Sequence, residues 1–170
     1  MSRVILGLGS NMGDRRKKLL TAIDEIGKKI GVIELVSSIY ETEPWGFKTD
    51  NQFLNLVLIV DTDLSPSEVL ARILTIEAEL GRIRSEKQYS PRIIDIDILF
   101  FDDMILKELN LKIPHPLLHE RKFVLVPLNE IAHELIHPGL KHSIGSLLEL
   151  CEDNSEIRRI IQSSPLSAKL

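Results

Sequence analysis

A single cysteine, Cys151, stands in 170 residues. That excludes an internal disulfide framework and fits a reducing compartment. Positive charge is not in excess either, because 21 Lys and Arg against 25 Asp and Glu leave a formal net charge of −4. A dedicated nucleic-acid binder normally carries a basic surface, so no nucleic-acid partner is expected, and any polyanion must be met by cations gathered locally. No apolar run approaches the roughly 20 residues of a membrane-spanning helix, and the opening Met1-Ser2-Arg3-Val4-Ile5-Leu6-Gly7 leads into a strand without a signal peptide's apolar region. The expectation is a soluble, cytoplasmic chain with no membrane partner. Internal repeats, low-complexity tracts and linker-like stretches are also missing. What remains, 44% hydrophobic and 27% charged with ordinary glycine and proline counts, is the composition of one globular domain. Such a chain can bury about two thirds of its unfolded surface, enough for a compact enzyme.

The stretch Ser90-Pro91-Arg92-Ile93-Ile94-Asp95-Ile96-Asp97-Ile98-Leu99-Phe100-Phe101 contains a contradiction. Alternation puts Ile94, Ile96, Ile98 and Phe100 on one side of a strand and Asp95, Asp97, Leu99 and Phe101 on the other. Same-face residues lie roughly 6.5 to 7 Å apart along a strand, so the two carboxylates repel unless a cation sits between them. They make a candidate metal site.

Ahead of that strand, residues 4–8 read as a first strand ending in Gly7-Leu8-Gly9-Ser10-Asn11-Met12-Gly13-Asp14. Met12 stands where a dinucleotide fingerprint needs its third glycine, leaving a glycine turn into a helix with the stripe Leu19, Leu20, Ile23, Ile26, Ile30. Residues 32–40 read as a second strand, 41–47 as a turn, and 53–61 as a third strand. That third strand sets Leu54, Leu56, Leu58 and Val60 on one face and Phe53, Asn55, Val57 and Ile59 on the other, which makes it central. Asn55 is its anomaly: either a satisfied core amide or, with Phe53 beside it, a reader of the edge of a flat heterocycle. Ser65-Pro66-Ser67-Glu68 is a capping box with proline at the first helical position. The stripe Leu70, Ile73, Leu74, Leu80 that follows includes Glu77, a carboxylate at the stripe's edge or one with a task.

Residues 82–92 form a polar link with four cations, Arg82, Arg84, Lys87 and Arg92. An isolated charge cluster is usually a solvated loop. This one runs into two aspartates, and cations beside a metal site suit a polyphosphate, whose oxygens Arg pairs and Mg²⁺ bridges. After Asp102-Asp103 come His115 between two prolines, an apolar run from Val124 to Leu128 that is helix or strand, and a small helix around Ile144, Leu147 and Leu148. A helical turn is expected at residues 157–161. His133-Glu134-Leu135-Ile136-His137 satisfies the zinc-protease pattern H-E-x-x-H, but Pro138-Gly139 ends any helix at once, and two surface histidines explain the segment.

Pro91-Arg92 followed by Asp95 and Asp97, the cationic loop before them, and the segments Pro114-His115 and Arg121-Lys122-Phe123 resemble the 6-hydroxymethyl-7,8-dihydropterin pyrophosphokinases of folate biosynthesis. The likeness runs from the Gly-Ser-Asn turn to about Leu150. It implies an α+β, ferredoxin-like sandwich whose mostly antiparallel sheet has helices on one face and the active site on the other. It also implies one domain over 1–170, with 152–170 an extension of unassigned role. The implied reaction moves pyrophosphate from ATP to the hydroxymethyl group of a reduced pterin, with two Mg²⁺, in a monomer. The implied pterin pocket comprises Thr42, Pro44, Trp45, Asn55 and the stacking pair Phe53 and Phe123. The implied metal ligands are Asp95 and Asp97, acting in catalysis with Arg82 and Arg92. The implied ATP contacts are Glu77, Arg82, Arg84, Arg92, Ile98, Lys112, His115 and Arg121. The chain departs from the family at Ser90, commonly glycine, and at Asn110 and Lys112, where a cation and a small polar residue are usual. Phe53 lacks a hydroxyl sometimes found at its position. Two other readings also fit parts of the pattern. A non-catalytic ligand sensor has no need of paired aspartates beside four cations, and a metallohydrolase would consume ATP without a pterin.

Overall fold

The computed structural model describes residues 1–46, 51–82 and 93–161. Arg84, Ser90 and Arg92 lie outside the described residues. Alternating apolar stretches form the strands β1 (Ser2–Ser10), β2 (Val32–Val36), β3 (Ile39–Thr42), β4 (Phe53–Thr62) and β5 (Asp95–Phe101). The short strands β6 (Leu106–Lys107) and β7 (Lys112–Ile113) pair with each other, and β8 (Ile157–Ile161) ends the described chain. The helices are α1 (Arg15–Lys29), α2 (Pro66–Glu79), α3 (Lys122–Ala132) and α4 (Ile144–Leu150). The main sheet runs β5-β1-β4-β3-β8, antiparallel at every pairing, and β2 shares the β4 edge with β3. β1 and β4 lie at the centre, with α1 and α2 as crossovers, which is the ferredoxin-like arrangement.

The two faces bury different cores. Leu54, Leu56, Leu58 and Val60 of β4 join Ile94, just before β5, and Ile96 and Ile98 of β5 under α1 and α2. Val57 and Ile59 point the other way and pack with Leu125, Leu128, Ile144 and Leu147 of α3 and α4. The second face is therefore roofed by α3 and α4 over part of its length, and the cleft described below opens beyond them. Helix starts follow the local chemistry. Asp14 accepts from the Lys17 N–H at 3.1 Å, and Ser65 with Glu68 closes the capping box ahead of α2.

Several expectations are corrected. The alternation of β5 breaks at a bulge, because Ile5 pairs with Phe100 but Leu6 pairs with Ile98, leaving Leu99 as the extra residue. Phe100 thus joins Leu99 under α3 and α4, while Phe101 falls into the other core. The apolar stripes are rotated from the simple count. α1 buries Leu19, Ala22 and Ile26 and leaves Leu20 at 46% exposure, and α2 buries Val69, Ile73 and Ile76 while Leu74 faces outward. The strand expected over 32–40 is interrupted at Ser37-Ser38. There Ser37 exchanges bonds with Val57, its N–H donating to the Val57 carbonyl and its hydroxyl oxygen accepting the Val57 N–H.

β1 runs two residues further than expected, so Gly9 belongs to a strand and not to a turn. Residues 157–161 form a strand, because the open edge of β3 offers a ladder to a segment rich in isoleucine. His133 caps α3, and His137 lies in the following turn. His137 is 7% exposed, with its Nδ1 accepting the Gly139 and Leu140 N–H groups. His137 is therefore not a surface residue, and the helical spacing that zinc ligation needs is absent. Among the described residues no cluster of three or more His, Cys, Asp or Glu is placed to hold a metal, and no helix is long and apolar enough to cross a membrane.

Candidate active site

The register of β1 with its two neighbours, β4 and β5, builds the site. Gly9 pairs with Asn55 on one side and Asp95 on the other, and Gly7 pairs with Val57 and Asp97. These rungs share the face that α3 leaves open. Gly7, Gly9, Asn55, Val57, Asp95, Asp97 and Leu99 line a single cleft with Phe123 and Val124 of α3. Asn55 and Asp95 are separated by two strand spacings, about 10 Å, with only glycine between them. The glycines are the functional signal missed in the sequence. A Cβ on Gly9 would come within 2.7 Å of Asn55 Oδ1, and one on Gly7 within 3.3 Å of Leu99 Cδ1. Glycine in a strand permits a close approach, and here it lets the Asn55 amide and the Leu99 side chain lie directly against β1. Gly9→Ala is therefore expected to push the Asn55 amide aside and to raise KM for the ring-bearing substrate at least about tenfold. The KM of the other substrate should stay near wild type, and steady-state kinetics with each substrate varied in turn checks both.

At one end of the cleft, Asn55 is 6% exposed and its Nδ2 donates to Thr42 Oγ1 at 2.6 Å. Thr42 closes β3 and pairs with Phe53, the first residue of β4. Pro44 and Trp45 follow in a partly exposed turn. The Trp45 ring lies 4.8 Å from Arg121 Cζ, and the Phe123 ring lies 5.7 Å from the same carbon. The Arg121 guanidinium thus joins the turn after β3 to the start of α3 by cation–π contacts. Its Nε is buried without a hydrogen-bond partner.

At the other end, Asp95 and Asp97 begin β5, the outermost strand on that side. Glu77, in the last turn of α2, is only 3% exposed. Its carboxylate accepts the Ile96 N–H at 2.8 Å and so occupies an open edge that would otherwise leave a donor unpaired. Burial pushes the Glu77 carboxyl up, against the pull of the Ile96 N–H and Arg82. Arg82, just past α2, donates through Nη1 both to Glu77 and to Asp95 Oδ1, the latter at 2.9 Å. The cation that paired aspartates demand is supplied here in part by Arg82. Ile98 buries its side chain under α1 and α2. Its pairing with Leu6 repeats that of Ile96 with Leu8, so its backbone turns to the same open edge and only that backbone can meet a ligand. Lys112 is exposed on β7.

His115 donates its N–H to the Leu99 carbonyl at 3.0 Å, and its Nδ1 accepts from the Leu117 N–H at 3.2 Å. Burial, with Arg121 nearby, pushes His115 down to about 4. A base whose folded value lies below its unfolded one near 6.5 contributes stability above 6.5, and that stability is lost as pH falls through about 4. Protonation also removes the acceptor that Leu117 uses. Wild type is therefore expected to lose more thermal stability between pH 6.5 and 4 than His115→Asn, which keeps an acceptor without a titrating proton. Melting curves across that range check it.

One antiparallel sheet face thus carries an aromatic and amide end and a carboxylate and arginine end, and the chain is similar to enzymes of the transferase class. The chain belongs to the 7,8-dihydro-6-hydroxymethylpterin-pyrophosphokinase (HPPK) family, whose model matches residues 5–133. A 2-amino-4-hydroxy-6-hydroxymethyldihydropteridine pyrophosphokinase of Aquifex aeolicus is 44% identical over 138 residues, covering 81% of this chain and 85% of its own. The enzyme of the same name from Bacillus subtilis is 43% identical over 131 residues, covering 76% and 78%. Among solved structures, a wild-type Plasmodium falciparum HPPK-DHPS superposes with a TM-score of 0.71 at 22% identity, over 88% of this chain and 43% of that one. That likeness is one of fold, and the chain spans less than half the length of that protein.

Proposed function

We propose that the cleft carries out the reaction for which the family is named, moving pyrophosphate from ATP to the hydroxymethyl group of 6-hydroxymethyl-7,8-dihydropterin to give AMP and the pterin diphosphate. The observation that supports this most is the rung Asn55–Gly9–Asp95, a ring-reading amide and a phosphate-end carboxylate about 10 Å apart across a bare glycine strand. Phe53 and Phe123 stack on the pterin, Asn55 reads its edge, and Thr42 holds the amide in orientation. Pro44 and Trp45 complete that wall, and Arg121 bridges it to Phe123.

The residues at the other end fit Mg²⁺. That ion takes one or two carboxylates and completes its shell with water and substrate phosphates, so Asp95 and Asp97 suffice without a third protein ligand. Bound there, two Mg²⁺ would neutralise the polyphosphate. The chain's own groups then act mainly by positioning. Asp97 orients the hydroxyl for in-line attack on the β-phosphorus. Arg82 moves off Asp95 to meet charge developing on the phosphates as AMP departs, and Glu77 keeps it within reach. Arg84, Arg92, Lys112 and His115 serve as further ATP contacts, with the Ile98 backbone on the nucleotide. We place the enzyme in the cytoplasm, as a monomer, with residues 1–170 forming one domain. Incubation with ATP, Mg²⁺ and the dihydropterin should yield AMP only when the pterin is present. ADP as product, or phosphate released without pterin, would overturn the assignment.

A further inference from the structure

The segment from Asp153 to β8 lies beyond the residues matched by the family model, yet it touches both walls of the cleft. α3 begins at Lys122, and no side chain of its own N-cap residue, Arg121, satisfies the first turn. The Lys122 N–H is taken instead by Asp153 Oδ2 at 3.0 Å, from a strandless stretch 31 positions further on. A carboxylate placed there both accepts an orphan donor and meets the positive end of the helix. Asp153 is fixed in turn, because its Oδ1 accepts the Ser155 N–H at 3.0 Å, and Lys122 Nζ donates to the Ser155 carbonyl at 3.2 Å. The same segment then runs into β8, where Ile157 pairs with Thr42 and Arg158 with Glu41. Arg158 Nη2 donates to Glu41 Oε1 at 2.5 Å. Glu41 Oε2 accepts from Arg15, whose Nη1 also donates to the Gln52 carbonyl at 2.8 Å, next to Phe53.

These contacts give the two walls a common support. Arg121 and Phe123 stand on the first residues of α3, and Thr42 and Trp45 stand at the end of β3 and just after it. The far end of α3 is tied to β3 without help from the tail, because Glu130 accepts from the Ser38 N–H and hydroxyl and from the Tyr40 hydroxyl at 2.8 Å. The near end, which carries the aromatic wall, meets the turn after β3 through Arg121 and Trp45 and reaches β3 itself by way of residues 153–158. We propose that residues 153–158 form a clasp that sets the separation of the two walls of the pterin cleft, with Asp153 as its positioning residue. The clasp rests on the pterin reading of the cleft given above.

Steady-state kinetics of Asp153→Ala and Asp153→Asn test the clasp, together with the emission of the chain's one tryptophan, Trp45. Asp153→Ala is expected to raise KM for the dihydropterin about tenfold, to leave KM for ATP within about twofold, and to shift Trp45 emission. Asp153→Asn keeps an oxygen acceptor for Lys122 and is expected to restore most of the pterin KM. Arg158→Ala alters a side chain that is 70% exposed and does not threaten folding. It is expected to raise the same KM about threefold. Unchanged pterin KM and Trp45 emission in Arg158→Ala would overturn the clasp, as would equal rises in both KM values for Asp153→Ala. Failure of the pterin reading would appear separately, as absence of pterin-dependent AMP in the wild type.

Discussion

Replacing Asp97 with alanine is expected to lower kcat at least about a thousandfold, roughly 4 kcal/mol of transition-state stabilisation, while the protein stays folded. Asp97 sits on the open face opposite Gly7, one residue pair along β5 from Asp95. Removing either carboxylate relieves the repulsion between them, so the loss of function should not be a loss of fold. Asp95→Ala should be as inactive, and it also loses the bond that Asp95 accepts from Arg82 at 2.9 Å. Single-turnover rates and calorimetry on the two variants check the pair of outcomes. Near-normal turnover of either variant would contradict the role given to both.

The second large effect belongs to Asn55→Leu, a change that keeps side-chain size and removes polarity. It should cut kcat/KM for the dihydropterin by about four orders of magnitude, in the range seen when a hydrogen bond between a site and the substrate group it is built for is missing. KM for ATP should change little, because the amide lies about 10 Å from the carboxylates. Some stability is also lost, since the buried Thr42 hydroxyl no longer receives the Asn55 Nδ2 at 2.6 Å. Leaving such a group unsatisfied costs about 1 to 3 kcal/mol. Substrate-specific kinetics beside a denaturation curve separates the two losses.

The parts of the fold that could be read from the sequence are those fixed by local periodicity. The faces of β4 follow from strict alternation, and α2 follows from its capping box. Asp95 and Asp97 could be placed on one face with Asn55 because period two relates residues within each strand, and antiparallel pairing aligns the strands in register. What escaped was set by tertiary contact. The bulge at Leu99 is a pairing event between β1 and β5 that alternation cannot reveal, and it reverses Phe100 and Phe101. The exposure of Leu20 and Leu74 depends on how each helix is rotated against the sheet. β8 exists because β3 has a free edge, a fact about topology and not about residues 157–161 alone. Glu77 on its apolar stripe was visibly anomalous, yet its partners, the edge N–H of Ile96 and Arg82, come from segments that only folding brings together. The glycines were legible in principle. Gly7 and Gly9 stand at period two before Ser10, and extending the strand over 4–8 by two residues would have put Gly9 beside Gly7 under the site.

The central claim is that one sheet face holds the pterin at the Asn55 end and the polyphosphate at the Asp95–Asp97 end, with the glycine strand as the floor between them. A crystal structure of the complex with the dihydropterin, Mg²⁺ and a non-hydrolysable ATP analogue tests it most directly. The account predicts the ring between Phe53 and Phe123 with its edge on Asn55, the hydroxymethyl group directed across Gly9 toward Asp97, and Arg82 turned from Asp95 to the phosphates. A pterin bound away from Asn55, or phosphates bound away from both aspartates, would contradict it.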